Sequence, residues 1–379
     1  MQTKLRTMRL FFGMGGIGIS VWAITVPFTK IRFHLDDGTL GLMLLAGGMG
    51  GILVMPVAGV AVSRWGSKNV LAAVGLAMGP LLPGLGVAPS PLAFTGLLLV
   101  YGALFGALDI ALNAQGAVME RMSGRLQMSG FHACFSLGTL AVALASSLLL
   151  RFGVSYIGCA LASAGAMLLI LTQARRLVGK AEDESAPGPH LALPNRATIV
   201  LGLCCFVCFM TEGAATDWST IYLHFSRGMP VDAAALGYAA YAVAMAGSRL
   251  FGDAVAAKLG QAWLMRLGCV MGVLGFALVV FVPVGWVGVI GFGLIGLGTG
   301  NIAPLVFSAA GRVPGIAANH AMPAVVGLGY AGFLAGPVLI GLVANHLGLG
   351  FALGAIGALL AGTFFAARAV DQTVSVSGA

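Results

Sequence analysis

Gly106-Ala-Leu-Asp109-Ile-Ala-Leu-Asn113-Ala-Gln115 stands late in an apolar run that opens at Leu92. A carboxylate at membrane depth is expensive and usually faces an interior cavity, so Asp109 counts by default as a functional-site candidate. The competing reading is a buried structural carboxylate. The rest of the chain keeps the same character: of 379 residues, 59% are hydrophobic and 8% are charged, and the mean hydropathy is +0.99. A soluble globular domain carries about 25% charged residues. The composition therefore indicates an all-α polytopic membrane protein. The 58 glycines suit tight helix packing, because small residues let backbones approach closely in membranes.

Apolar stretches of about 20 residues can span a bilayer, and cutting at charges and turn residues yields twelve. They run approximately 10–30, 39–62, 70–88, 92–117, 127–150, 154–173, 198–222, 233–256, 262–282, 286–310, 316–344 and 349–368. The first is too long for a signal-peptide core and lacks a small-residue cleavage site, so it is expected to remain as a helix. Residues 173–197 are the longest hydrophilic piece, with the acidic run Glu182-Asp183-Glu184, and read as a mobile linker. The expected organisation is an N-terminal six-helix bundle over 1–174, a linker over 175–197 and a C-terminal six-helix bundle over 198–379.

The formal charge of +8 is scattered in ones and twos between apolar stretches, as orientation signals are. No basic stripe or soluble module marks a nucleic-acid partner. Placing alternate loops on opposite sides leaves Lys30, Arg32, Arg151 and Arg227 outside and most of the 20 basic residues with the N-terminus. Both termini and the linker are then cytoplasmic. The six cysteines all lie in apolar runs. Cys204-Cys205-x-x-Cys208 has the look of a metal or redox pair but no fourth ligand nearby, and small apolar packing is the favoured reading. Neither a metal nor a cofactor is expected.

The two halves repeat at an offset near 194 residues. Gly106-x-x-Asp109-Ile-Ala matches Gly298-x-x-Asn301-Ile-Ala, and Gly138-x-Leu-Ala141 matches Gly332-x-Leu-Ala335. Trp22 matches Trp218, and Arg64-Trp-Gly66 matches Lys258-Leu-Gly260. Parallel six-helix repeats related by an axis along the membrane normal organise major facilitator transporters. The chain resembles that superfamily over nearly its whole length. Gly59-Val-Ala-Val-Ser63-Arg64-Trp-Gly66-Ser67-Lys68 is similar to the superfamily signature after helix two, with Ser63 in place of its acid. Asp109-x-x-x-Asn113 and His132-Ala-Cys-Phe-Ser136-Leu-Gly138 most resemble the bacterial fucose permease-like branch, where fucose permeases tend to have Gln at the position of His132. Ala23 stands where sugar-transporting members carry an aspartate. The resemblance implies twelve transmembrane helices in two pseudo-symmetric bundles, a substrate site at their interface, and helices one, four, seven and ten lining the cavity.

Four carboxylates lie in the apolar stretches: Asp109, Glu212, Asp217 and Asp253. By helix rise, Asp109 is ~18 Å and Glu212 ~20 Å from the cytoplasmic ends of their helices, near mid-membrane. Both are candidates for proton coupling, weighed against structural polar contacts. Asp217, beside Trp218, is a substrate-site candidate that equally suits capping or gating of the outer end. His132, ~9 Å from the cytoplasmic edge, can bond a substrate hydroxyl, share a proton with Asp109, or be satisfied locally. Arg249 demands a partner at membrane depth. A structural pair with Asp253, four residues on, is the plainer reading; binding an anionic substrate or pairing with Glu212 is the sharper one. Trp22, Asn113, Asn301 and Tyr330 complete the candidate lining, and Arg64, Lys68, Asp253 and Lys258 are gating candidates.

The leading expectation is a secondary active transporter, not an enzyme: a monomeric, proton-coupled importer of a small polar, sugar-like solute in the lipid of the bacterial inner membrane. One alternative is an exporter or antiporter of an amphipathic compound or lipid. The other is a transport-inactive membrane receptor.

Overall fold

The computed structural model describes residues 1–35, 37–180, 195–234, 236–314, 316 and 318–371, with backbone alone at 22–24, 26, 27, 30, 31, 37, 38, 40–42, 44, 147, 231, 232 and 319. Six helices form the first half: α1 (Gln2–Arg32), α2 (Asp37–Trp65), α3 (Ser67–Val87), α4 (Pro91–Ser123), α5 (Met128–Arg151) and α6 (Tyr156–Leu171). The second half follows with α7 (Arg196–Ile221), α8 (Leu236–Leu259), α9 (Gln261–Phe281), α10a (Gly285–Thr299), α10b (Ile302–Ala310), α11 (Ala318–Leu347) and α12 (Leu349–Ala366). Ten segments among the described residues are long and apolar enough to cross a membrane, with α10a and α10b counted as one. With α1 and α8 they make the twelve-helix, all-α membrane fold.

Two departures from the expected helices matter. The tenth apolar stretch is not one helix: it breaks at Gly300-Asn301 between α10a and α10b. And α7 does not stop cleanly but passes into a π-helical turn, Tyr222–Ser226.

Two compact units emerge: Met1–Arg125 with Phe131–Ala192 and Ala317–Pro323, and Leu126–Gly130 with Leu193–Ile316 and Ala324–Ala379. In the first, α4 packs on α1, α2 and α3, and α6 on α1 and α3. In the second, α10a packs on α8 and α9, α10b on α7, and α12 on α7 and α9. These are the same helix pairs displaced by one repeat.

The repeat extends to single atoms. Gly66 (φ 81) and Gly260 (φ 87) cap the N-termini of α3 and α9 in the same positive-φ, extended conformation that glycine alone adopts readily, which lets the chain reverse within one residue after α2 and α8. Arg32 Nη1 donates to the Gly86 carbonyl at 2.6 Å, and Arg227 Nη2 to the Val279 and Val280 carbonyls at 2.9 and 2.8 Å. Each arginine thus satisfies carbonyls left over at a helix C-terminus, where a cation is also favoured by the helix dipole.

Glycines set the closest crossings. A Cβ on Gly102 would overlap the Gly47 carbonyl, and one on Gly296 would overlap that of Tyr241. Likewise Gly138 abuts the Gly13 carbonyl and Gly332 that of Phe206.

The polar stretch after α6 begins as packed chain. Residues Ala174–Arg176 form a 3-10 turn, Leu177 and Val178 are buried, and Lys180 Nζ donates to the Arg64 carbonyl at 2.7 Å. Residues 181–194 lie outside the described ones.

Gly96 sits on the same helix as Gly102 with open space around it. We expect Gly102→Ala to lower stability by about 1–3 kcal/mol through overpacking. Gly96→Ala should leave the Tm unchanged or raise it. Thermal unfolding of the purified variants in one detergent checks both.

Candidate functional site

In the first unit, α4 brings Asp109 and Asn113 to one face, because residues four apart on a helix are neighbours. Asn113, fully buried, donates through Nδ2 to Asp109 Oδ1 at 3.0 Å and to the Asp109 main-chain carbonyl at 2.9 Å. That leaves Asn113 Oδ1 to accept, and His132 Nε2 lies 3.1 Å from it. With the amide so oriented, Nε2 carries the hydrogen. His132 is buried, its ring edge-on to Phe12 at 5.2 Å between centroids, while Phe12 stacks on Phe131. Asp109 itself is half-buried. The result is a polar chain, carboxylate to amide to imidazole, with apolar packing behind it. Three residues that the sequence offered separately are one hydrogen-bonded unit.

In the second unit, Cys208 and Glu212 share a face of α7. Glu212 is half-buried, and its charge acts on Tyr238, Tyr241 and Cys208. The Tyr241 hydroxyl bonds the Thr299 side chain. Asp217, by contrast, is exposed. Trp218 lies beside Gly341, and its indole N–H is buried without an acceptor among the described residues. Tyr330 packs against Phe209, ring centroids 6.1 Å apart. The Trp22 side chain is outside the described residues.

The break in helix ten organises this half. In a continuous helix the Gly300 carbonyl would accept from residue 304, but Pro304 has no N–H. Arg249 Nε fills the vacancy, donating to Gly300 O at 2.9 Å. A guanidinium there also meets the negative end of the α10a dipole. One residue earlier, the Cys208 thiol donates to the Thr299 carbonyl at 3.7 Å and accepts from the Ala303 N–H. The sulfur is thus inserted between the two groups that a regular helix would join, a recognised cause of kinks. Regular bonding resumes with Leu305 N–H to Asn301 O at 3.0 Å. Arg249 and Cys208 hold a discontinuous helix about 15 Å from its Ala310 end. Neither role was read from the sequence, yet the signal stands there: a proline four residues after a glycine, facing an arginine at membrane depth.

Packing also corrects the repeat. The motif match pairs Asp109 with Asn301, an offset of 192. Packing pairs differently: a Cβ on Gly106 would lie 2.9 Å from the Gly51 carbonyl, and one on Gly300 2.9 Å from that of Met245. Both offsets are 194, so Asp109 corresponds to Ala303. Asn301 instead turns to α8, donating to the Ser248 carbonyl at 2.9 Å, with its Oδ1 against Gly252 and no donor for it among the described residues.

Asp253 accepts from the N–H groups of Ser129 and Gly130 at 3.0 and 2.7 Å, all three residues in the second unit. A carboxylate at the first turn of α5 is favoured by both charge and hydrogen bonding. Lys258 is exposed. Lys68 Nζ reaches the Arg175 carbonyl at 3.3 Å, and Arg64 accepts Lys180 through its backbone. Ser67 Oγ donates to Gln115 Oε1, whose amide donates to Val178 O at 3.3 Å. The turn after α2 is therefore tied to the chain that leaves α6.

Removing the Arg249 donor orphans the Gly300 carbonyl, and Arg249→Met should destabilise by about 1–3 kcal/mol. Adding Pro304→Ala supplies the missing N–H and should recover part of that loss. Strict additivity in the double-mutant cycle would contradict the assignment.

Comparison with known proteins agrees with this architecture. Residues 10–330 match the family described as the Major Facilitator Superfamily. The chain is 37% identical over 364 residues to an uncharacterized MFS-type transporter of Yersinia pestis, covering 96% of this chain and 95% of that one. Its fold is similar to that of the E. coli fucose:proton symporter FucP (TM-score 0.79, 16% identity, 96% and 97% of the two chains). It is similar also to the proton:xylose symporter XylE (TM-score 0.77, 14% identity, 96% and 95%). This chain belongs to the major facilitator superfamily of transporters.

Proposed function

We propose that the protein imports a small polar, sugar-like solute together with protons, by alternating access across the bacterial inner membrane, with both termini cytoplasmic. It acts as a monomer, its halves 1–174 and 198–379 joined by the polar stretch 175–197. The observation that carries this reading is the half-buried Asp109 carboxylate held by Asn113, itself bonded to His132. A carboxyl group at mid-membrane takes and releases a proton as access alternates, whereas an amide in its place cannot. Asn113 fixes one carboxylate oxygen, so proton gain at Asp109 weakens one bond of a chain that ends on a transport-helix histidine. Glu212, near the hydroxyls of Tyr238 and Tyr241, is the second proton-coupling group.

A metal cation is a poorer coupling ion. Unwound backbone carbonyls are the usual cation ligands in transporters with broken helices. Here the Gly300 carbonyl already holds the Arg249 guanidinium, which repels a second positive charge. The fold neighbours, a fucose:proton symporter and a proton:xylose symporter, support the same class.

The test starts with a thermal-shift screen of sugars, sugar acids, amino acids and amphiphiles. The solute that stabilises most is then followed into proteoliposomes under an imposed pH gradient. The wild type should accumulate it only with the inside alkaline. Asp109→Asn should retain counterflow of labelled solute and lose gradient-driven accumulation by at least about tenfold. Uptake that ignores the gradient would overturn the coupling, and a hit confined to amphiphiles would favour an exporter.

A further inference from the structure

The first unit carries a groove of about 470 Å³ between α1, α5 and α6, bounded at one end by Arg9. It exists because its walls are small. Gly13 and Gly138 bring α1 and α5 into backbone contact, and Ala141, Ala145, Ala162 and Ala166 leave the space beyond them unfilled. Along α5 the lining runs from Cys134 to Leu149, roughly 22 Å by helix rise. One leaflet of the hydrocarbon core is about 15 Å deep. The groove is therefore long enough to follow a lipid tail from the interface to the bilayer centre.

The chemistry of the walls narrows the occupant. Ser163, one of the few polar lining residues, already donates its hydroxyl to the Cys159 carbonyl at 2.9 Å. Arg9 is exposed, sits where the polar N-terminal turns of α1 meet its apolar run, and is close enough for its charge to act on Cys134. Apolar walls with a cation at the cytoplasmic mouth complement a chain that is apolar along its length and anionic at one end.

We propose that this groove binds one acyl chain of an anionic phospholipid of the cytoplasmic leaflet, with its phosphate at Arg9. The lipid would brace α1 against α5 and α6 by filling the space that the alanines leave. Basic residues at that leaflet surface attract anionic headgroups, and each buried methylene adds to the binding.

Native mass spectrometry of the purified full-length protein, titrated with phosphatidylglycerol or phosphatidylcholine, tests this. The wild type should retain one phosphatidylglycerol at least about fivefold more than phosphatidylcholine. Arg9→Gln should abolish that preference and Arg9→Lys restore it. Ala145→Phe, a lipid-facing change that fills the groove, should lower retention of both lipids without lowering the Tm measured in lipid-free detergent. Equal retention of the two lipids by the wild type would overturn the proposal. So would undiminished binding in Ala145→Phe, which would place the lipid elsewhere, or a protein dimer that Ala145→Phe disperses, which would assign the groove to a second copy.

Discussion

A polar group in hydrocarbon must find its partner within the protein, and that constraint explains most of what is specific in this structure. It is met at four kinds of place. Arg32 and Arg227 satisfy carbonyls at the ends of α3 and α9. Asp253 satisfies N–H groups at the start of α5. Arg249 and Cys208 satisfy the groups freed where helix ten breaks. Asn113 holds the Asp109 carboxylate and is itself bonded to His132. Three of these involve charges fixed against backbone, which build the scaffold. In the fourth a carboxyl group accepts from the amide side chain of a neighbouring turn of its own helix.

The contrast between halves has a local cause. The structural counterpart of Asp109 is Ala303, whose neighbourhood is given over to the broken backbone, with Cys208 and Arg249 filling it. The second half instead carries its acid on α7, at Glu212, close to Tyr238 and Tyr241.

Much of the fold was legible because it rests on hydropathy and on glycine, both of which are linear signals. The twelve apolar stretches became the helices of the fold, the tenth of them in two pieces, and Gly138 and Gly332 proved to be backbone crossings at the offset read from their motif. The break at Gly300 was hidden because hydropathy does not change through 286–310, and only the backbone chemistry of Pro304 reveals it. The motif match between Asp109 and Asn301 is two residues out of the register that the glycine crossings at Gly102 and Gly296 fix. Asn113 and His132 were visible as polar residues on adjacent helices. That they bond to each other depends on the rotation of α5 against α4, which no spacing encodes. The bond from Arg249 to the Gly300 carbonyl was not legible either, because it crosses to another helix.

The central claim is that Asp109 gains and loses a proton during the cycle. Infrared difference spectroscopy of the reconstituted protein, comparing solute-bound and solute-free states with Asp109→Asn as reference, reads that carboxyl group directly. The account predicts a protonated-carboxyl band that changes on solute binding in the wild type and is missing from the variant. An identical carboxyl difference spectrum in both proteins would contradict it and leave Asp109 a structural residue.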